Sequence, residues 1–325
     1  MRVAERRPLP LRIRTDGIAP IVALLVVLLI LVAFVQPDFL APSSLMSFLG
    51  RSAPIILLAA GQYFVIVCGE FDLSVGSLVT AQVVVAARLI DSDPSHTWPV
   101  VALLLVGGAL VGLVNGLVTT VLRVPSFITT LGMFLILVGA VYLWSDGAPK
   151  GGLSEEFRRF GRRAIEDVPL LGRIPYALLV LVVVAAIAVV LTRSDFGRTL
   201  VAVGDNPRTA ELSGVRVART KTIAFMLSGL AAAVAAILLG GYSGVSFQAG
   251  VGLEFGAITA VVLGGVALGG GRGSVVGAML GALTLETLFA LMNFTGVSGA
   301  LRSTVQGVII LLAVAVSSLR SSSSR

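Results

Sequence analysis

Ten apolar runs, each close to the length that crosses a bilayer, occupy most of this chain and leave room for little else. A hydrocarbon core of about 30 Å needs about 20 helical residues. Segments of that kind run near 18–35, 52–69, 73–90, 99–121, 127–145, 174–192, 221–240, 252–270, 274–292 and 300–318. The expectation is an all-α, polytopic membrane protein of about ten transmembrane helices. Two gaps are too short for ordinary loops: Gly69-Glu70-Phe71-Asp72, and Gly269 to Gly273. Each is a tight turn or a broken or re-entrant helix, tolerated where protein or water shields the backbone. Composition points the same way. Charged residues are 13% of the 325, against roughly 25% in soluble domains, too few to cover a soluble surface. A soluble enzyme and a disulfide scaffold are excluded, and the lone cysteine, Cys68, allows no intrachain disulfide.

Orientation follows the basic residues. With the N-terminus inside, 15 of the 24 Lys and Arg fall on the inner side, and six of the other nine sit in the nearly neutral segment 146–173. The expectation is a cytoplasmic N-terminus and C-terminus in a plasma (inner) membrane. The net charge of +7 then reflects basic cytoplasmic loops, and no nucleic-acid partner is expected. The division is a basic cytoplasmic segment 1–17, a transmembrane domain 18–318 and a disordered tail 319–325. Within that domain, 146–173 is extracytoplasmic and 193–221 cytoplasmic. The run Ile18–Val35 is long enough to span and no A-x-A-like site follows it, so a cleaved leader is not expected.

Glycine repeats at four-residue intervals, once as Gly108, Gly112 and Gly116 and again as Gly273, Gly277 and Gly281. Such spacing puts small residues on one helix face, where a partner helix can approach closely. The two sets, with Glu70-Phe71-Asp72 and Glu254-Phe255-Gly256, are a faint echo of two halves; the alternative is chance recurrence among 37 glycines.

Several chemistries are missing. The single histidine, His96, lies in a polar loop, so no histidine metal site or Ser-His-Asp triad assembles in the membrane. Neither lysine, Lys150 or Lys221, ends a phosphate-binding G-x-x-x-x-G-K-[ST] loop. The chain is therefore expected to be a non-enzyme with no metal or cofactor of its own. Ion-coupled carriage usually needs ionisable groups near the midplane. Glu286 is the one carboxylate inside a span; the structural alternative is a hydrogen bond through Thr284, Thr287 or Asn293.

The segment 193–221 is punctuated as a helix of two turns. Asn206 is an N-cap, Pro207 suits the first helical position, and Gly214 suits the left-handed residue that closes a helix. Ala210 and Ser213, three apart, share a small flat face, and Leu212 offers an apolar knob. So short a helix is marginal alone and must pack on its own bundle or dock into a partner. Docking is the preferred reading, because basic residues flank it and ATP chemistry is absent from the chain.

Four stretches carry a resemblance. Glu70-Phe71-Asp72-Leu73-Ser74-Val75-Gly76-Ser77 and Pro125-Ser126-Phe127-Ile128-Thr129-Thr130-Leu131-Gly132 are the first two. Gly204-Asp205-Asn206-Pro207 with Ala210 and Leu212-Ser213-Gly214-Val215 is the third. Val262-Leu263-Gly264-Gly265 with Gly271-Arg272-Gly273-Ser274 is the fourth. In this order, over about residues 50–315, they resemble the sugar-type permease subunits of ATP-binding-cassette importers, the ribose/xylose/arabinose type above all. The resemblance implies alternating access in a pair of permease copies. It implies a cytoplasmic ATPase dimer, using ATP and Mg, docked on Gly204, Asn206, Pro207, Ala210, Leu212, Ser213 and Gly214. It also implies an extracytoplasmic binding protein that delivers a monosaccharide. The other readings are a permease for branched-chain amino acids or another small solute, an autonomous ion-coupled carrier, and a scaffold without transport. Phe71, where the family has an aliphatic residue, and the charged segment 146–173 depart from the pattern.

The residues left as candidate pathway lining are Asp72, Ser74, Asn115, Thr129, Thr130, Glu286 and Asn293. Asp72 would cap the third span and Ser126 the fifth. Thr129 and Thr130 face a pathway or bond back to their own helix. Glu155-Glu156-Phe157-Arg158-Arg159-Phe160 reads as an interfacial helix with Phe157 and Phe160 on one face, or as a seat for the binding protein. Phe and Tyr could stack on sugar faces, but the 15 Phe of a membrane chain are mostly packing residues.

Overall fold

The computed structural model describes residues 18–322. The basic segment 1–17 and residues 323–325 of the tail lie outside the described residues. Thirteen α-helices and one small hairpin are described. They are α1 (Ala19–Val35), α2 (Pro42–Val67), α3 (Val75–Ile90), α4 (Thr97–Thr120), α5 (Ser126–Ser145), α6 (Glu155–Arg162), β1 (Ala164–Val168), β2 (Gly172–Pro175), α7 (Tyr176–Arg193), α8 (Asp195–Asp205), α9 (Pro207–Leu212), α10 (Val217–Ser243), α11 (Leu253–Leu263), α12 (Val275–Phe294) and α13 (Ala300–Ser322). The chain is an all-α polytopic membrane protein. Helices α2, α4, α5, α7, α10 and α12 are each long and apolar enough to cross a membrane, and α1, α3 and α11 are shorter apolar helices.

One expected span is corrected. In place of a helix over 252–270, α11 stops at Leu263, and its 11 residues reach only about 16 Å at 1.5 Å per residue. Gly264 ends it, and Gly265 turns the chain with φ of +81°. The gap at 68–74 is likewise a break, with Gly69 at φ of +82°.

Helices α2 and α10 form the interior. From Ser52 to Val67 every residue of α2 is buried, the pattern of a helix enclosed on all sides. α10 packs on α4, α2, α6 and α3. Its crossing with α4 is set by glycine. A methyl on Gly108 or Gly112 would strike the carbonyl of Gly229 or Phe225, and one on Gly116 would lie 2.7 Å from Thr222 Cα. The first glycine set therefore does bring a neighbouring backbone into contact. In the second set, Gly277 and Gly281 of α12 lie against Gly264 and Ala260 of α11, whereas Gly273 sits in the preceding turn with φ of +128°. Gly112→Val forces α4 off α10. Overpacking of this kind costs about 1–3 kcal/mol, so a lower thermal midpoint of the detergent-extracted protein is expected.

Two sets of connections meet at opposite ends of the bundle. Val67, Gly204 and Gly271 meet at one end of the bundle, with the Gly271 amide donating to the Val67 carbonyl at 2.8 Å. At the opposite end the Ser92 amide donates to Gly152 at 2.9 Å, and Gly161 of α6 lies on the last turn of α10. The short helix expected near 155–160 is present as α6. Its Phe157 is fully buried among Ile90, Leu104 and Ile237, inserted into the bundle, while Phe160 meets Trp98 edge-on at 5.8 Å. The antiparallel hairpin after it was not foreseen.

Candidate functional site

The site is built around the broken segment 68–74 and the capped helix beside it. In α9 the capping expectations are met. The Asn206 Oδ1 accepts the Thr209 amide at 3.0 Å, Pro207 leads the helix, and Gly214 follows with φ of +85°. Ala210 is buried on the bundle, whereas Leu212 is 75% exposed and Ser213 is exposed. The flat face expected from Ala210 and Ser213 is thus split between bundle and surface. A longer helix, α8, precedes this one. Gly204 belongs to α8 and is buried, with its α-carbon against the Val67 carbonyl and the Gly271 amide. It seats α8, and α9 after it, on the bundle and offers no surface to a partner.

The break carries a buried polar knot. Asp72 is 1% exposed. Its Oδ1 accepts the Ser74 amide at 3.0 Å and the Ser74 hydroxyl at 2.6 Å, and its Oδ2 accepts the Ser228 hydroxyl of α10 at 2.8 Å. The Asn115 amide of α4 donates to Ser74 Oγ at 2.9 Å. With its amide oriented to suit its neighbours, Gln62 of α2 donates to the Asp72 carbonyl and accepts from the Asp72 amide, both at 3.2 Å. From α5, Ser126 Oγ accepts the Phe71 amide and Thr130 Oγ1 accepts the Leu73 amide, each at 3.1 Å. Freed backbone groups inside a membrane protein must find partners within it; α2 and α5 supply them, while α4 and α10 bond the side chains of Ser74 and Asp72. The caps fall differently from expectation. Asp72 bonds Ser74, the residue before the first turn of α3. Ser126 serves Phe71 and leaves α5 without a side-chain cap.

A second link ties this break to the start of α10, the helix that follows α9. Lys221, in the second turn of α10, pairs with Glu70, both largely buried. Beside the pair a cleft of about 630 Å³ opens between α9, α10 and the α4–α5 turn, lined by Glu70, Thr119, Arg123, Pro125, Arg208 and Lys221 among others.

The remaining candidates lie apart. Thr129 Oγ1 is buried with no hydrogen-bond partner among the described residues. Glu286 is on α12, where Thr284 and Thr287 donate to Leu280 and Leu283 of their own helix, not to the carboxylate. Asn293 is exposed at the end of α12, not inside a span. Gln62 and Ser228 were missed; each is a polar residue interrupting an apolar run, which is the signal that could have found them.

The chain matches the family described as branched-chain amino acid transport system / permease component over residues 44–314. Among curated proteins, a ribose import permease of Bacillus subtilis (strain 168) is 36% identical over 93% of this chain and 94% of its own length. An autoinducer 2 import system permease of Escherichia coli O157:H7 is 34% identical over 90% and 84%. A galactose/methyl galactoside import permease of Escherichia coli (strain K12) is 33% identical over 92% and 94%. No solved structure matches the chain.

Proposed function

Because this chain belongs to the branched-chain amino acid transport system / permease component family, we propose that it is the membrane-spanning subunit of an ATP-driven, binding-protein-dependent importer of a monosaccharide. The observation that carries the reading is the hook: a capped helix that presents Leu212 outward and leads directly into α10, whose Lys221 pairs with Glu70 of the buried break. A partner gripping α9 would move the break, and with it α3 and α4, which is what alternating access requires. On this reading α9 faces the cytoplasm and an ATPase dimer that uses ATP and Mg. The end bearing α6 and the hairpin, within 146–173, faces a solute-binding protein, and a second permease copy completes the pathway. The relatives named for ribose and galactose favour a monosaccharide over the branched-chain amino acid of the family's description.

The test is uptake in proteoliposomes. Ribose and galactose uptake should need the partner ATPase, its ATP and the loaded binding protein, and should be absent from the chain alone under a proton or sodium gradient. Asn206→Ala removes a cap worth about 1 kcal/mol, and Gly214→Val strains a left-handed residue with open space around it. Both should insert normally and lower uptake several-fold while ATP hydrolysis continues. Uptake by the unaccompanied chain would overturn the reading.

A further inference from the structure

The connection between α10 and α11 enters the bundle without regular structure. It leaves the end of the protein that bears α6, and by Gly250 it has reached the side of α3, where the Gly250 amide donates to Thr80 Oγ1 at 2.9 Å. A methyl on Gly250 would strike the Gly76 carbonyl. Thr80 lies ten residues before the end of α3 at Ile90, a depth of about 15 Å. The short helix α11 then covers the rest of the distance.

Irregular backbone at such depth survives only where it is buried in protein or faces water. This segment is only partly buried. Gln248 is exposed, Val251 is 72% exposed, and Phe255, one turn later, is 50% exposed. Among the described residues no hydrogen bond reaches the amides of Val245, Ser246 or Phe247. Lipid is therefore an unsuitable neighbour for this face. Beside it, Tyr142 of α5 stacks on Phe247 with ring centres 4.7 Å apart and planes tilted by 31°, and Tyr142 remains 48% exposed. The face therefore combines an aromatic platform with an exposed primary amide, Gln248, next in sequence to Phe247. A platform of this kind covers the C–H face of a sugar ring, while the amide donates to and accepts from its hydroxyls.

We propose that residues 244–255 and Tyr142 form a wall of the water-filled solute path, and that Tyr142, Phe247 and Gln248 make a subsite for a neutral polyhydroxylated ring. The subsite rests on the importer reading above. It shares no residue with the knot around Asp72, where Ser74, Asn115 and Thr130 bond the break.

The test uses the assembled transporter in membranes, in a Cys68→Ala background that removes this chain's only thiol, with labelling read on this chain alone. Single cysteines are placed by Gln248→Cys, Val251→Cys and, as a lipid-facing reference on α7, Val183→Cys, itself 59% exposed. A charged, membrane-impermeant thiosulfonate reacts with thiols that meet water. Labelling of the first two at least tenfold faster than the third is expected, with the rate at 248 slowed by saturating ribose or galactose. Equal, slow labelling at all three positions would overturn the wall. Fast labelling that neither sugar slows would overturn the subsite. Labelling needs no ATP-driven turnover, so this result stands or falls separately from the uptake experiment.

Discussion

Asp72→Ala should abolish uptake and sharply reduce the amount of folded protein recovered in detergent. The carboxylate accepts three bonds, from the Ser74 amide, the Ser74 hydroxyl and the Ser228 hydroxyl. Hydrogen bonds contribute about 0.5–1.5 kcal/mol each, and removing the acceptor leaves buried donors unmatched at about 1–3 kcal/mol. Even a net loss of about 3 kcal/mol is roughly a hundredfold in an equilibrium, applied where the chain already lacks helical bonding. Asn115 would lose the ordered Ser74 hydroxyl it donates to, so the damage would spread to α4. Asp72→Asn keeps the shape and one carbonyl acceptor, and its amide can donate to Ser228. It should restore folding. Uptake that returns with it assigns Asp72 a structural role, and folded but inactive Asp72→Asn assigns the charge a role in the transport cycle. Ser228→Ala deletes a single bond and should cost far less than Asp72→Ala. Size-exclusion yield and uptake, measured on the three variants together, decide the matter.

Lys221→Ala is the second change with a large expected effect. The Lys221 and Glu70 side chains are 16% and 15% exposed. Breaking a buried pair from one side costs about 3–5 kcal/mol, because the other charge is left uncompensated, and the open cleft beside Glu70 places this pair toward the lower end. About a tenfold or greater fall in uptake is expected, with ATP hydrolysis by the assembled complex continuing. Removing both charges, Glu70→Gln with Lys221→Gln, leaves no orphan and should recover much of the uptake; the cycle of single and double variants isolates the pair's own contribution. Wild-type uptake in Lys221→Ala would show that the pair does not connect the hook to the break.

Local signals were readable in the amino-acid sequence, and long-range ones were not. The α9 hook needs only Asn206, Pro207 and Gly214, all within nine positions, so its caps could be read directly. The glycines of α4 were equally plain, because a face of small residues has one obvious use in a membrane. Helix α8 was hidden because Leu200 and Val203 are stabilised by burial in the main core and nothing in their own neighbourhood announces it. The eighth span was overestimated because Val262, Leu263 and Val266 keep the run apolar through a glycine turn, and hydropathy does not distinguish an apolar turn from an apolar helix. The knot was half legible. Asp72, Ser74, Asn115 and Thr130 stood out as polar groups in apolar surroundings, but Ser228 lies 156 positions from Asp72 and Lys221 lies 151 from Glu70. Pairings over such distances come from the packing of α2, α4 and α10, which a single chain of letters does not display. Ser126 shows the same limit: it has the composition of a cap, and the break at Phe71 claims its oxygen.

Gly204 packs main chain on main chain, with the last turn of α2 on one side and the glycine turn after α11 on the other. Most joints between helices are cushioned by side chains that change rotamer and absorb small displacements. This joint has no such padding, so a push delivered at α8 has no slack to take up before it reaches both breaks. On the importer reading the junction would act as a stiff lever arm, and the ends of α2 and α11 would answer the same stroke.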